Sequence, residues 1–258
     1  FATTVCKMPG LKSIALRNLG INGTIPKCAS NLKLLESLDL SDNGITSLAA
    51  SLSWPLLKLL KLDENNVTGR LECGKNFKAL QILDVSSNPI NVDVTEFLAD
   101  FADLPALTEL IANNAGLNEE FTFTVARNPS TFAVRFPSLQ TLDLSYNQIK
   151  GSVDSWWGSL PKLHSLNLMR NNLVGVIPDG ISSIENIDLR LNSLQSSGIS
   201  AYNGNPGSLN PLLPSFAKFS PSNLVSNVSG HFSCQAVVNT AGNEVILLDE
   251  SYYAYYAC

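Results

Sequence analysis

Aliphatic side chains recur along the chain in short alternating runs, each followed by a turn at asparagine. In LDLSYNQIKGSV, residues 142–153, Leu142 and Leu144 alternate with polar residues. Alternation of this kind predicts a short strand with one buried and one solvated face. The template L-x-x-L-x-L-x-x-N-x-L fits eight times, starting at Leu11, Leu35, Leu57, Leu80, Leu107, Leu139, Leu163 and Ile184.

The ninth position of the template is polar within an otherwise apolar pattern. A side-chain amide there can bond the unpaired backbone of the turns, and leaving it unsatisfied would cost about 1–3 kcal/mol. We therefore expect stacked copies to form a hydrogen-bonded ladder. Two units depart from the pattern, with Leu19 and Ala115 at this position. The other six carry Asn43, Asn65, Asn88, Asn147, Asn171 and Asn192.

One short strand cannot bury its apolar face alone, so the units must stack into a parallel sheet over a shared core. Several units continue with L-x-G-x-I-P. The segments INGTIP (21–26) and LVGVIP (173–178) match in full, and VTGRL (67–71) and IKGSV (149–153) match in part. The glycine lets the chain bend into a second short strand, which the proline ends.

Over about residues 11–195 the chain resembles the plant-type subclass of the leucine-rich repeat family. The resemblance implies an α/β solenoid, a curved right-handed superhelix with a concave parallel β-sheet, about eight repeats and terminal caps. We expect an N-terminal cap at 1–10, the solenoid at 11–195 and a C-terminal cap region at 196–258. The caps are atypical, because only Cys6 precedes the first repeat where a pair of cysteines is expected.

Five cysteines lie near the chain ends and on one outer segment. We expect Cys6 to bond Cys28, and Cys234 and Cys258 to staple the C-terminal cap. Cys73 is then left over, as a partly buried free thiol or in an intermolecular or alternative disulfide. The sequence leaves this pairing open.

Three sequons predict N-linked glycans, at Asn22, Asn66 and Asn227. Sequons and cysteines together favour an oxidising compartment. We therefore expect an extracellular or cell-surface, secreted glycoprotein.

Composition excludes several classes of function. Hydrophobic residues make up 45% of the chain, and the net charge is −5. Without clustered lysine or arginine, nucleic-acid binding is not expected, and no apolar run reaches the roughly 18 residues of a membrane span. The chain begins at Phe1 without methionine, which we interpret as a processed chain or part of a longer one.

Candidate chemistry is sparse. Neither histidine, His164 or His231, has a metal ligand at suitable spacing. GRLECGKN, residues 69–76, fits the start of a phosphate-binding loop, but Asn76 replaces the hydroxyl residue that would hold magnesium. We expect no cofactor, no metal site and no enzymatic activity.

The template also predicts which side chains face the concave side, at the third, fifth, seventh and eighth positions of each unit. An acidic column at Asp39, Asp84, Asp143 and Asp188 would be a solvated face or bind a cation or a basic partner. Because interfaces favour tyrosine and arginine, we expect any hot spot in the last three units. The expected ligand-binding residues are Tyr146, Met169, Arg170, Arg190, Asp143 and Asp188.

Two irregular segments add to this picture. In SWWGSL (155–160) the register buries Trp157 and leaves Trp156 more exposed, either to anchor a neighbour or to pack on adjacent outer segments. The fourth and fifth intervals are long. The fifth carries about eight extra residues within 118–136, either a binding loop or an excursion whose phenylalanines enter the core.

The resemblance favours a non-enzymatic extracellular recognition module that binds a protein, peptide or glycan. The alternative is a structural glycoprotein subunit of a cell wall, surface coat or extracellular filament, with other copies of itself as partners.

Overall fold

The computed structural model describes residues 5–121 and 135–195, apart from the side chains at 73, 179 and 195, and the backbone of three later strands. The strands are, in chain order, β1 (Ser13–Ala15), β2 (Asn22–Ile25), β3 (Ser37–Asp39), β4 (Gly44–Leu48), β5 (Leu59–Lys61), β6 (Ile82–Asp84), β7 (Glu109–Ile111), β8 (Asn118–Glu120), β9 (Thr141–Asp143), β10 (Gln148–Lys150), β11 (Ser165–Asn167), β12 (Val174–Val176), β13 (Asn186–Gln195), β14 (Ser226–Val228), β15 (Ala236–Val238) and β16 (Val245–Leu247).

One parallel sheet runs through the solenoid in the order β1-β3-β5-β6-β7-β9-β11-β13. Each strand comes from one template unit, and neighbouring strands align the same template positions, as in the pairing of Leu142 with Leu166. The middle residue of each strand is at most 6% exposed. The eight-unit prediction and the curved leucine-rich repeat solenoid are therefore confirmed.

A second set of short strands follows the turns. Strand β2 pairs with β4, β8 with β10, and β12 with β13, all parallel. The glycines of the four L-x-G segments have φ between +71° and +88°, a region that favours glycine. Pro26 and Pro178 directly precede 3-10 helices at Lys27–Asn31 and Asp179–Ser183. The predicted bend and stop are present, and a second strand forms at three of the four segments; none forms at VTGRL (67–71).

The asparagine ladder holds successive turns together. The Asn147 Oδ1 accepts the backbone N–H groups of Ala115 and Leu117, each at 3.0 Å. Its Nδ2 donates to the carbonyl oxygens of Ala112, Leu144 and Ser145 at 2.9–3.1 Å. Each buried amide thus satisfies backbone groups of its own turn and of the preceding one, as the sequence predicts.

The two exceptions in the ladder have local causes. The first unit has no earlier turn to bond, so it needs no amide at this position, and Leu19 there is 61% exposed. The Leu19 N–H donates to Asn43 Oδ1 of the second unit at 3.1 Å. At Ala115, backbone groups replace the missing amide. Ile90 N–H donates to the Asn88 carbonyl at 2.9 Å, and Asn91 N–H donates to the Ala115 carbonyl at 3.1 Å.

The long fourth interval contains an α-helix, Val94–Phe101, which the template did not predict. The Asp93 side chain caps it by accepting from the N–H groups of Thr95 and Glu96. Asp100 on this helix is buried and pairs with Arg70. The helix is therefore fastened to the third repeat by charge as well as by packing.

Both tryptophans of SWWGSL are buried, so the alternative in which they pack on adjacent outer segments is the one the structure supports, and Trp157 takes the expected core position. Trp156 is 4% and Trp157 1% exposed, and their rings stack at 3.9 Å. A 3-10 helix at Ser155–Ser159 turns both rings inward. Of the fifth-unit phenylalanines, Phe121 packs edge-on against Trp157 and Phe136 is buried. Residues 122–134 lie outside the described part of the chain.

At the N-terminal end, a disulfide joins Cys6 to Cys28 with a Cα–Cα distance of 5.6 Å. At the other end β14 pairs in parallel with β13, and β15 and β16 form an antiparallel pair. Strand β16 lies within the predicted EVILLD strand. Cys234, Cys258 and the Cys73 side chain lie outside the described residues, so their pairing and the cap boundaries stay predictions.

Replacing the central ladder amide should destabilise the whole stack. Asn147→Ala removes five hydrogen bonds to buried or partly buried backbone groups. We expect a loss of about 3 kcal/mol in the free energy of unfolding, measured by urea denaturation. The exposed neighbour Asn172→Ala is the control and should change stability by less than about 0.5 kcal/mol. Equal losses in the two variants would contradict the role given to the ladder.

The outer 3-10 helices of the sixth and seventh units pack backbone against backbone. A Cβ at Gly158 would overlap the carbonyl of Gly180. We expect Gly158→Ala to lower the free energy of unfolding by about 1–3 kcal/mol, as overpacking does. Gly10→Ala, where nothing lies within 4 Å of the added Cβ, is the matched control. Thermal denaturation of both variants tests whether this contact is tight.

Candidate functional site

The solvent side of the parallel sheet is built from the first and third residues of its strands. In β9, Thr141 and Asp143 flank the buried Leu142 and are themselves half-buried. The same pattern holds in β3, β5, β6, β7 and β11. The framework therefore presents a continuous surface whose side chains are free to differ between units.

The eighth template residue of every unit has left-handed backbone geometry, with φ between +52° and +58°. The N–H of Tyr146 donates to the Met169 carbonyl at 2.8 Å, and that of Arg170 donates to the Arg190 carbonyl at 2.7 Å. Earlier units repeat this bond. We call these residues the turn row: Asn18, Asp42, Glu64, Ser87, Asn114, Tyr146, Arg170 and Leu191.

The acidic column has a structural task that the sequence reasoning missed. Asp143 Oδ1 accepts the N–H of Ser145 at 2.9 Å, and Asp188 Oδ1 accepts that of Arg190 at 3.0 Å. Asp39 and Asp84 bond the residue two positions on in the same way, and Asn167 does so in the seventh unit. These side chains hold the start of each turn, so they are not simply solvated.

Asp39 shows the electrostatics of this position. Partial burial raises its pKa, but the hydroxyl and N–H of Ser41 and the charges of Lys61 and Arg17 outweigh burial, and the net pKa is lowered. A lowered carboxylate pKa contributes stability above the ordinary value and loses it as pH falls through the lowered one. The turn bonds therefore favour the charged form of Asp39.

At two units the seventh position is covered although it lies beside the concave-side aspartates. Ser41 and Ser145 are buried, and each donates its hydroxyl to the aspartate two residues earlier. The small side chain folds back under the turn because the carboxylate lies within reach.

The last three units bring most of the expected ligand-binding residues together. Tyr146 is 45% exposed, and the Arg170 guanidinium carbon lies 5.4 Å from the centre of its ring, a cation–π contact. Met169, which directly precedes Arg170, is half-buried. Arg190 is engaged by both carboxylate oxygens of Asp188. Leu191, which is 41% exposed, joins this cluster and was not among the predicted residues.

Charge is divided along the solenoid. The concave side and turn row of the second to fourth units carry five acidic residues and one basic one, Lys61. On the same surface, the sixth to eighth units carry two basic residues, Arg170 and Arg190, and two acidic ones, Asp143 and Asp188. The acidic residues of the second to fourth units are Asp39, Asp42, Asp63, Glu64 and Asp84.

The remaining predicted features are the segment GRLECGKN, the sequon asparagines, and possible metal-binding and membrane-spanning segments. Within GRLECGKN, a 3-10 helix spans Glu72–Asn76 and packs against the α-helix. Asn22 and Asn66 are exposed, and Asn227 lies in β14 with its side chain outside the description. Among the described residues, no cluster of three metal-ligating side chains occurs, and no helix has the length and apolarity to cross a membrane.

Family models for leucine-rich repeats match residues 31–51 and 137–192. Among curated proteins, tubulin-specific chaperone E of Bos taurus is 29% identical over 195 residues, covering 72% of this chain and 36% of that protein. Receptor-like protein 41 of Arabidopsis thaliana is 29% identical over 168 residues, covering 65% of this chain and 16% of that protein. The chain thus spans about a third or less of these two relatives.

Among solved structures, the plant peptide hormone receptor RGFR1 in complex with RGF2 is similar, with a TM-score of 0.60 and 25% identity. The match covers 87% of this chain and 33% of the receptor chain. Together with the eight stacked units and the L-x-G-x-I-P turns, these matches show leucine-rich repeats stacked in a solenoid whose fold is similar to that of this plant receptor.

Proposed function

We propose that the chain is an extracellular recognition module that binds a protein or peptide along its concave sheet and turn row. The observation that carries the proposal is the exposed cluster of Tyr146 and Arg170 beside Leu191, on an otherwise small and polar surface. Tyrosine and arginine dominate binding energy at protein interfaces. The structurally similar protein RGFR1 is a peptide hormone receptor, which supports a peptide or protein ligand for this chain.

The solenoid suits this role because the template positions that repeat in every unit hold its backbone in place. Strands are held by the buried asparagines and by the aspartates that cap the turns. Side chains on the solvent side of the sheet then change from unit to unit without disturbing the backbone. A preordered surface of this kind reduces the conformational entropy lost on binding.

The extracellular part of the proposal rests on covalent chemistry. The disulfide between Cys6 and Cys28 belongs to an oxidising compartment. The two sequon asparagines in the described region, Asn22 and Asn66, are exposed and lie on the second-strand side of the N-terminal half. Glycans there would leave the turn row of the last three units uncovered.

Selection from a library of random twelve-residue peptides should recover ligands that bind this surface. Ser165 is a half-buried position on the solvent side of β11. We expect Ser165→Trp to weaken the binding of the selected peptides at least about tenfold, since the added ring would occupy the concave surface of the sheet. Ser51→Trp on the exposed outer segment is the matched control and should bind as the wild type does. Fluorescence polarisation measures both.

Failure of the library to yield any binder would contradict the proposal. Sedimentation velocity on the same protein separates it from the structural alternative. A recognition module should sediment as a monomer at micromolar concentration, whereas ordered polymers would favour a subunit of a coat or filament.

A further inference from the structure

Three residues of the turn row hold a backbone geometry that their side chains disfavour. Tyr146, Arg170 and Leu191 have φ of +57°, +53° and +58°. In this region the Cβ of an L-residue crowds the carbonyl oxygen, and only glycine, asparagine and aspartate enter it readily. Asn18 and Asn114 fit that preference at the same position of other units. The last three units use large side chains instead.

Burial does not compensate for this strain. Tyr146 is 45% and Leu191 41% exposed, and Arg170 is also exposed. All eight units share this geometry, so the feature that sets the last three apart is a large exposed side chain at three successive turn-row positions. Resting on the proposed function, we propose that Tyr146, Arg170 and Leu191 form a contact ridge for an extended acidic segment of a protein partner, with an apolar residue on each side of the carboxylate.

The charge of the partner follows from the ion pairs. Arg190 is engaged by Asp188 at 3.0 Å, whereas Arg170 has no carboxylate within ion-pair distance among the described residues. Its guanidinium lies over the Tyr146 ring, and a planar guanidinium so placed still offers its N–H edge to a carboxylate. One unpaired cation on the ridge fits one acid in the partner.

The spacing of the ridge sets the length of the segment. Neighbouring strands lie about 4.8 Å apart, so three turn-row positions span about 10 Å. Side chains of an extended segment alternate between its two faces, so residues two apart, about 6.6 Å along the chain, meet the ridge, and a stretch of about five residues covers that span. Tyr146 and Leu191, at the two ends, then receive the apolar side chains, and Arg170 between them receives the acid.

The acidic half of the solenoid limits where such a segment can bind. Asp42 and Glu64 occupy the turn row of the second and third units, with Asp63 beside them. A carboxylate placed there meets like charge, which disfavours binding. The acidic half therefore favours binding of an acidic segment at the ridge.

Two blocked heptapeptides test the ridge, one with leucine, glutamate and leucine at its second, fourth and sixth positions and one with glutamine in place of glutamate. We expect the glutamate peptide to bind the wild type about tenfold more tightly at low salt, measured by chemical shift titration. Arg170→Asn should remove that difference, since asparagine keeps the backbone geometry and deletes the charge. Tyr146→Asn should weaken both peptides alike.

Thermal denaturation of the same variants separates binding from support of the fold. Tyr146→Asn, Arg170→Asn and Leu191→Asn should each raise the Tm by about 2 °C, because asparagine tolerates the left-handed region. Asn114→Leu at the same position of the fifth unit should lower it by a similar amount. A lower Tm in all three asparagine variants would overturn the interpretation of these residues as strained for binding.

The outcomes also distinguish the ridge from the broader function. If Arg170→Asn binds the glutamate peptide as tightly as the wild type does, the ridge is wrong while a binding face elsewhere stands. If neither heptapeptide binds but library peptides do, the same conclusion holds. If no peptide of any kind binds, the ridge and the proposed function both fall.

Discussion

The buried asparagine amide is the interaction on which the rest of the structure depends. Turning the chain after every three-residue strand leaves backbone donors and acceptors inside the stack, where water cannot reach them. Asn147 satisfies five such groups in two successive turns. Because each amide bonds the preceding unit as well as its own, the units cannot slide or tilt independently. The parallel register of the sheet is a consequence of this bonding.

The aspartate column and the turn row extend the same constraint to the surface. Asp143 orients the turn by accepting the Ser145 N–H, and Tyr146 then bonds the next unit through its own N–H. The backbone position of Tyr146 is thus set by its neighbours and not by its side chain. A large residue can be held there in a geometry it disfavours, which would be hard to maintain in an unsupported loop.

The strands, the ladder and the outer bends could be predicted from the sequence because each follows a local rule that repeats eight times. Departures from the repeat were harder. The helix Val94–Phe101 has a recognisable start in the sequence, with Asp93 as N-cap and Glu96 three residues later. The repeat template does not include a helix at this place and so did not predict it. The burial of Trp156 could not be settled from the strand template, because it depends on the 3-10 helix at Ser155–Ser159.

The residue types of the candidate site could be predicted from the sequence, but their backbone geometry and their contacts with one another could not. Tyr146 and Arg170 stood out by composition, but their left-handed backbone and their contact depend on bonds between units about 24 residues apart, as in the pairing of Leu142 with Leu166. Asp143 and Asp188 looked like ligands because capping a turn and binding a partner use the same carboxylate chemistry. In a repeat protein, the residues free for function are therefore those that the ladder, the caps and the turns do not already use.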